Sequence, residues 1–216
     1  MKLQDFKVVY ICPDHNEKYH NRKLHMDKLL ADMGFKDIVH FKSGNEKYPK
    51  CLSLATIDVL TKYMDEPFIL LEDDIENTTH FDCDFDFRPE ADAIYLGISI
   101  AAGHDTLNTN VFYSKFEPYS STQVRVLNML SAHAILYISQ KYKHAVIDII
   151  KTNLGVLTND VAMSRIQKEH LVLANMKPIF YQSNKFNATG EGIWDVEKTT
   201  RIHIKYEPKL ILGDPQ

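Results

Sequence analysis

The sequence predicts an α/β domain with a mixed, mostly parallel central sheet flanked by helices. Two observations carry that expectation. Apolar, β-branched runs of strand length alternate with segments of helical periodicity through the first hundred residues. A less regular second half, mixing extended pieces with two further helical patterns, then completes the chain.

The elements follow in order. "FKVVYIC" (Phe6–Cys12) reads as a buried strand because it is β-branched and aromatic, and "CPDHN" breaks it. From Asn16 the spacing of Tyr19, Leu24, Leu29, Leu30 and Met33 is helical, with Gly34 as the stop. "DIVHF" (Asp37–Phe41) is a second strand. After the loop "KSGNEKYPK", Cys51 to Met64 reads as a helix with Leu54, Ile57 and Leu60 on one face. "PFILL" is the third strand and "AIYLGISI" (Ala93–Ile100) the fourth, with the loop-like "NTTHFDCDFDFRPEAD" between them. The stretch "AAGHDTLNTNVFYSKFEPYSSTQ" lacks periodicity, and loops of that length are often functional. "VRVLNML" and "AHAILYIS" are candidate strands, read as antiparallel neighbours. Ser139 caps the helix "QKYKHAVIDIIKTN", which ends near Gly155. Asn159 or Asp160 opens another helix, "VAMSRIQKEH". The tail, from "NMKPIFYQS" to Gln216, mixes short extended pieces with Gly and Pro.

Composition bounds the function. The 216 residues, 44% hydrophobic, suit one domain spanning 1–216. The 29 acidic and 25 basic side chains are interspersed and the net charge is −4. A protein held to nucleic acid by its phosphates would carry a basic excess or stripe, so that class is set aside. Cys12, Cys51 and Cys83 stand far apart in no metal-ligand spacing, as reduced thiols of a cytoplasmic chain do. The opening "MKLQDFKVVYICPDH" is too polar for a signal peptide, and no run approaches the ~18–20 apolar residues of a membrane span. The expected location is therefore the cytoplasm, free or peripheral to a membrane; the oligomeric state is left open.

The informative stretch is "PFILLEDDIE". A buried strand runs directly into Glu72, Asp73 and Asp74. Adjacent carboxylates repel, and burial raises the cost. A divalent cation relieves it, because Mg²⁺ or Mn²⁺ takes hard oxygen ligands and commonly bridges one or two carboxylates to phosphates. Alternation along a strand sends Glu72 and Asp74 one way and Asp73 the other. Parallel α/β sheets bind ligands beyond the carboxyl ends of their strands, which is where these residues fall.

"FILLEDDI" resembles the "hLEDDh" signature (h, apolar) of glycosyltransferase family twenty-five, the enzymes of lipopolysaccharide biosynthesis and collagen galactosylation. Other pieces follow in the family's order. "VVYICPDHNEKYHNRKLHMDKLLADMGF" is similar to its first strand and Arg-bearing helix, and "DAIYLG" to its D-h-h-Y-L-G segment. "SAHAILYISQKYKHAVIDII", "LTNDVAMSRI" and "KPIFYQS" resemble its strand–helix unit, its P-h-D segment and its P-h-h-x-Q segment. The likeness spans roughly residues 6–185. It departs at "PKCLSLAT", where Cys51 alone stands for the family's Gly-Cys-x-x-Ser-His turn, and at His133, near the usual Gly-Tyr pair.

The resemblance implies a GT-A-like, Rossmann-like fold, with a donor half over about 1–100 and an acceptor half over about 101–216. It implies a Mn²⁺- or Mg²⁺-dependent, inverting transfer from a nucleotide sugar, a UDP-sugar first, to a hydroxyl of a glycan, lipid-linked sugar, lipopolysaccharide or protein. Glu72 and Asp74, with His203 as a late extra ligand, would hold the metal. Asp73 would meet the ribose or a neighbouring backbone. Asp160 is either the base on the acceptor hydroxyl or only a helix cap. Arg22 is a phosphate contact or a solvated charge, and Asp92 a donor contact or a loop end. His133 is a metal or phosphate contact or structural. Gln182 and Ser183 would touch donor or acceptor, and Trp194 would stack on a sugar or anchor the tail. Two other readings compete: a catalytically silent nucleotide- or sugar-binding module, and a nucleotidyltransferase of related fold. The latter expects a Gly-rich basic loop after the first strand, and "CPDHNEKYHNRK" has the charge without the glycine.

Overall fold

The computed structural model describes residues 2–81, 85–103, 110–186, 195–206 and 210–212. The opening elements are β1 (Lys7–Ile11), α1 (Glu17–Asp32), β2 (Ile38–Phe41), α2 (Lys50–Lys62) and β3 (Phe68–Glu72). Local signals set their limits. The Asn16 side chain accepts the Tyr19 amide at 3.1 Å and starts α1. Gly34, at φ +81°, lets the chain leave it. β1 pairs in parallel with β2 on one side and β3 on the other, with Ile11 opposite Glu72.

The remaining elements are β4 (Ile75–Asn77), β5 (Ala93–Tyr95), β6 (Ala101–Gly103), β7 (Asn110–Phe112), β8 (Lys115–Pro118), β9 (Gln123–Asn128), β10 (Ala134–Tyr137), α3 (Gln140–Thr152), α4 (Asn159–Ser164), β11 (Val172–Asn175), β12 (Phe180–Gln182), α5 (Val196–Thr200), β13 (Ile204–Tyr206) and β14 (Leu210–Leu212). Eight strands form one sheet in the order β2-β1-β3-β10-β5-β11-β9-β8. The architecture is a mixed α/β sheet flanked by helices. Parallel pairing is confined to β2–β1–β3 and β5–β11. β10 lies antiparallel to both β3 and β5, and β9 antiparallel to both β11 and β8, so the sheet is evenly mixed rather than mostly parallel. β4–β12, β6–β7 and β13–β14 form separate two-stranded pairs.

Four further expectations change. β9 and β10 are not neighbours, because β5 and β11 lie between them and the short connection crosses the sheet instead of folding back. The fourth strand stops at Tyr95. Beyond it the Leu96 and Gly97 amides both turn to the Ala134 carbonyl (2.9 and 3.4 Å), and the Leu96 carbonyl takes the Ile179 and Phe180 amides (2.7 and 3.1 Å). The aperiodic stretch after residue 100 contains the short strands β6, β7 and β8. α4 opens at Asn159 as expected but ends at Ser164, and its N-cap position is Thr158, whose side chain makes no capping bond. Asn159 is occupied elsewhere: buried, it accepts from Ser53 Oγ (2.8 Å) and donates to Thr56 Oγ1 (2.9 Å), docking α4 on α2.

Side-chain alternation divides the core into two layers. Phe68 and Leu70 of β3 point with Ile135 and Tyr137 towards Leu60 of α2, Val146 of α3 and Met163 of α4. Ile69 and Leu71 point with Leu136 towards Met26 and Leu30 of α1. The buried Lys143 of α3 donates to the carbonyls of Tyr63, Met64 and Glu66 (2.9, 3.0 and 2.6 Å), satisfying the chain as it leaves α2. Among the described residues no helix is long and apolar enough to cross a membrane.

Candidate functional site

The end of β3 and the turn after it sort the three carboxylates. Glu72 continues the Leu70 side and is half-buried; its amide donates to the His133 carbonyl at 2.9 Å. Asp73 continues the Leu71 side, against α1. There the buried Arg22 donates from Nη1 to Asp73 Oδ1 at 2.6 Å, with both side chains about a tenth exposed (10% and 11%). The chain then turns, and Asp74 rejoins Glu72. Gln182 Nε2 donates to Glu72 Oε2 at 3.2 Å and to Asp74 Oδ1 at 3.4 Å, so one amide spans the pair. Gln182 is itself placed by pairing of β12 with β4 and by donation of its backbone N–H to Thr200 Oγ1 at 3.0 Å. The Ser183 amide closes the turn on the Asp74 carbonyl at 2.8 Å.

The electrostatics of the two sides differ. Burial, then the charges of Asp74, Asp160 and Asp73, push the Glu72 carboxyl well up. Burial and Asp73 also push Asp74 up, with Arg22 and the Gln182 hydrogen bond opposing. Among the described residues no lysine or arginine lies within ion-pairing distance of either one. Asp160, in the first turn of α4, is close enough for its charge to act on Glu72. Its Oδ1 accepts the Val161 amide at 2.9 Å, so the residue opens the helix locally and also contributes to the acidic field.

Tyr48, which sequence reasoning passed over, belongs to the same group. Desolvation, followed by the charges of Glu72, Asp160 and Asp74, pushes its phenol up, although the residue as a whole stays 63% accessible. It is therefore a protonated hydroxyl beside the acidic cluster at neutral pH. Nothing in "NEKYPK" marks this tyrosine, because its approach to β3 is set by the loop leading into α2.

The other candidates go elsewhere. Arg22 is held on Asp73 as half of a buried ion pair, and from there its charge also acts on Glu72 and Asp74. Asp92 lies at the opposite edge of the sheet. It precedes β5, which runs in the same direction as β3, so it is level with the start of β3 and not with its end. There it accepts from Ser139 Oγ and from the Leu171 amide (2.9 Å), with His170 Nδ1 at 3.5 Å. His133 is fully buried, which lowers its pKa to about 4 and keeps it neutral. Its Nδ1 meets Ser131 Oγ at 3.1 Å, and its ring fills the place of a side chain at Gly97, where a Cβ would fall 1.9 Å from Nε2. It is a packing residue beside the site. His203 sits between α5 and β13 and does not join Glu72 and Asp74. Trp194 and Cys83 lie outside the described residues; Cys12 and Cys51 are free thiols.

Among the described residues no three His, Cys, Asp or Glu side chains converge into a metal cage. The donor set that remains, two half-buried carboxylates joined by an amide, fits a different class of site. Mg²⁺ and Mn²⁺ are commonly held by one or two carboxylates and complete their shell from substrate phosphates and water.

No family model and no curated protein matches the sequence. Among solved structures the chain is similar to apo-UDP-glucose pyrophosphorylase, with a TM-score of 0.46, 10% identity and coverage of 83% of this chain and 77% of that one. It is similar to UDP-glucose pyrophosphorylase complexed with UDP-glucose at a TM-score of 0.46 and 11% identity, over 81% and 75%. A protein from STIV matches at a TM-score of 0.41 and 11% identity, over 98% of this chain and 96% of that one.

Proposed function

We propose that the chain is a divalent-metal-dependent glycosyltransferase that binds a nucleoside-diphosphate sugar, a UDP-sugar first, and passes the sugar to a hydroxyl of a glycan, lipid-linked sugar or protein. One observation carries the reading: Glu72 and Asp74 share the Gln182 amide at the carboxyl edge of β3, with raised pKa values and, among the described residues, no lysine or arginine within ion-pairing distance. That pair would hold Mn²⁺ or Mg²⁺. The bound cation would supply charge neutralisation for the departing diphosphate. The likeness of "FILLEDDI" to the family-twenty-five signature supports the same assignment.

The chain's own residues would then act as follows. Gln182 keeps the two carboxylates together, and the Asp73–Arg22 pair takes the third carboxylate out of the site. Asp160 would accept the proton of the acceptor hydroxyl as its oxygen forms a bond to the anomeric carbon. The bond from that carbon to the diphosphate oxygen breaks, and the configuration inverts. Tyr48, protonated at neutral pH, would donate a hydrogen bond to an oxygen of the donor.

The test is thermal melting with UDP, with Mn²⁺ and with both, for the wild type and for Asp74→Asn. A ligand at ~100 Kd adds about 2.7 kcal/mol, or roughly 5–10 °C for a chain of this size. The rise should need both components and should be lost in the variant. Failure of every nucleoside diphosphate to shift melting in the presence of Mn²⁺ or Mg²⁺ overturns the proposal. Slow hydrolysis of a UDP-sugar by the wild type separates an active transferase from a silent binding module.

A further inference from the structure

A second concavity opens at the carboxyl edge of the sheet, at the end of β11. It has a volume of about 280 Å³ and is lined on its apolar side by Phe85, Met176 and Ile204 and on its polar side by Asp86, Thr122 and Asn175. β11 is three strands from β3, so at ~4.8 Å per strand the cleft lies about 14 Å from the Glu72–Asp74 pair.

Its polar groups are held in place from below. The fully buried Gln123 donates from Nε2 to the Asp86 carbonyl at 2.8 Å and to Asn175 Oδ1 at 3.1 Å. That fixes the Asn175 amide and leaves Nδ2 as a donor with no protein partner among the described residues. Asp86 receives Arg88 Nη2 (2.8 Å) and Thr122 Oγ1 (2.7 Å), both on Oδ2, and Oδ1 carries neither of these bonds. The cleft therefore presents an anchored donor beside an anchored acceptor. Its apolar wall is equally fixed. Phe85 packs against Phe6 and Phe87, at 6.4 Å from each ring, and the Ile204 amide donates to the Met176 carbonyl at 2.7 Å.

The lining selects a ligand class. The volume is close to the lower bound of small-molecule pockets, ~300 Å³, and so suits a single ring. Vicinal hydroxyls give and accept hydrogen bonds at once, as an Asn–Asp pair requires, and the C–H face of a pyranose packs on an aromatic ring. The Asp86 carboxylate, paired with Arg88, opposes an anionic group beside it, so the lining, which also includes His80 and the exposed Lys177, favours a neutral ligand over a phosphorylated one. We propose that this cleft is a monosaccharide-binding subsite for a neutral pyranose, separate from the carboxylate site.

The experiment is ligand-observed saturation-transfer NMR on the full chain, with methyl glucoside, methyl galactoside and methyl mannoside at millimolar concentrations. At least one should bind. Asn175→Ala and Asp86→Asn should each weaken it about tenfold. Asn175→Ala leaves the Gln123–Asp86 bond in place and should melt close to the wild type; Asp86→Asn, which keeps the side chain's shape, is the second, independent variant. Asp74→Asn should leave the sugar signal unchanged, which separates this proposal from the fate of the metal–diphosphate site. The proposal is overturned if no glycoside gives transfer, if both cleft variants bind as the wild type does, or if Asp74→Asn alone abolishes the signal.

Discussion

The end of β3 offers the most instructive comparison in the molecule. Asp73 and its neighbours Glu72 and Asp74 are consecutive carboxylates on one strand end, yet their surroundings are opposite. On the α1 side Asp73 receives Arg22 at 2.6 Å and becomes half of a buried ion pair. On the α2 and α4 side Glu72 and Asp74 meet the charge of Asp160, the phenol of Tyr48 and a single amide. Among the described residues the fold has placed a cation within ion-pairing distance of one carboxylate and of neither of the other two. Alternation along β3 sets the side of Glu72, and the turn that follows sends Asp73 to α1 and returns Asp74 to Glu72. Three charges that look redundant in the sequence thus divide into a buried ion-pair partner and a neighbouring carboxylate pair.

The largest expected effect breaks the structural side. Arg22→Met leaves Asp73 buried without its cation and should cost about 3–5 kcal/mol, roughly 10 °C in melting temperature. Replacing both partners, Arg22→Met with Asp73→Leu, should recover most of the loss, since a hydrophobic pair needs no compensation for desolvated charge. A single variant that melts like the wild type would show that Asp73 is not held by Arg22 in solution, and the contrast would collapse. Asp92→Ala comes next. It strips partners from Ser139 and the Leu171 amide at the far edge and should cost about 1–3 kcal/mol. The rise produced by UDP and Mn²⁺ should persist in this variant, because Asp92 faces away from the site.

Much of this was legible in the sequence, for identifiable reasons. The β1–α1–β2–α2–β3 opening reads correctly because each element carries its own signals: a continuous apolar run, the Asn16 cap, the stop at Gly34. The shared side of Glu72 and Asp74 is what strand periodicity predicts, although the structure ends β3 at Glu72 and reaches it through a turn. What failed is non-local. Insertion of β10 between β3 and β5 depends on pairing between residues far apart in the chain, and nothing in "VRVLNML" or "AHAILYIS" specifies a partner. The Arg22–Asp73 bond spans 51 positions and is equally invisible locally. Asp92 could have been placed correctly, since a residue preceding a strand parallel to β3 belongs to the opposite edge. Gln182 was identified through resemblance, and Tyr48 left no signal at all.

A smaller effect sharpens the ligand side, through its pH dependence. Folding raises the Asp74 pKa, so the folded chain binds that proton more tightly than the unfolded chain. The group's favourable contribution is complete below the ordinary carboxylate value of ~4 and is lost as pH rises through the raised folded value. Asp74→Asn removes the titration. The variant should be more stable than the wild type at pH 8, by about 1 kcal/mol, and the difference should close towards pH 4. Melting across that range checks the sign. A variant less stable at pH 8 would mean that the pair is neutralised by the protein itself, and the comparison with Asp73 would lose its basis.

The smallest effect tests what organises the pair. Gln182→Ala removes the one amide shared by Glu72 and Asp74, whose two bonds, at 3.2 and 3.4 Å, are long for charged acceptors. Water can replace such an amide where the carboxylates are only half-buried, so the stability change should be about 0.5 kcal/mol. Binding should respond more, since without the bridge the two carboxylates repel to a wider separation and must be drawn together when a cation arrives. The Mn²⁺ concentration that gives half the melting shift in saturating UDP should rise about tenfold. If it does not move, the turn closed by Ser183 on the Asp74 carbonyl sets the geometry alone, and the arrangement of the ligand pair belongs to the backbone of β3 rather than to β12.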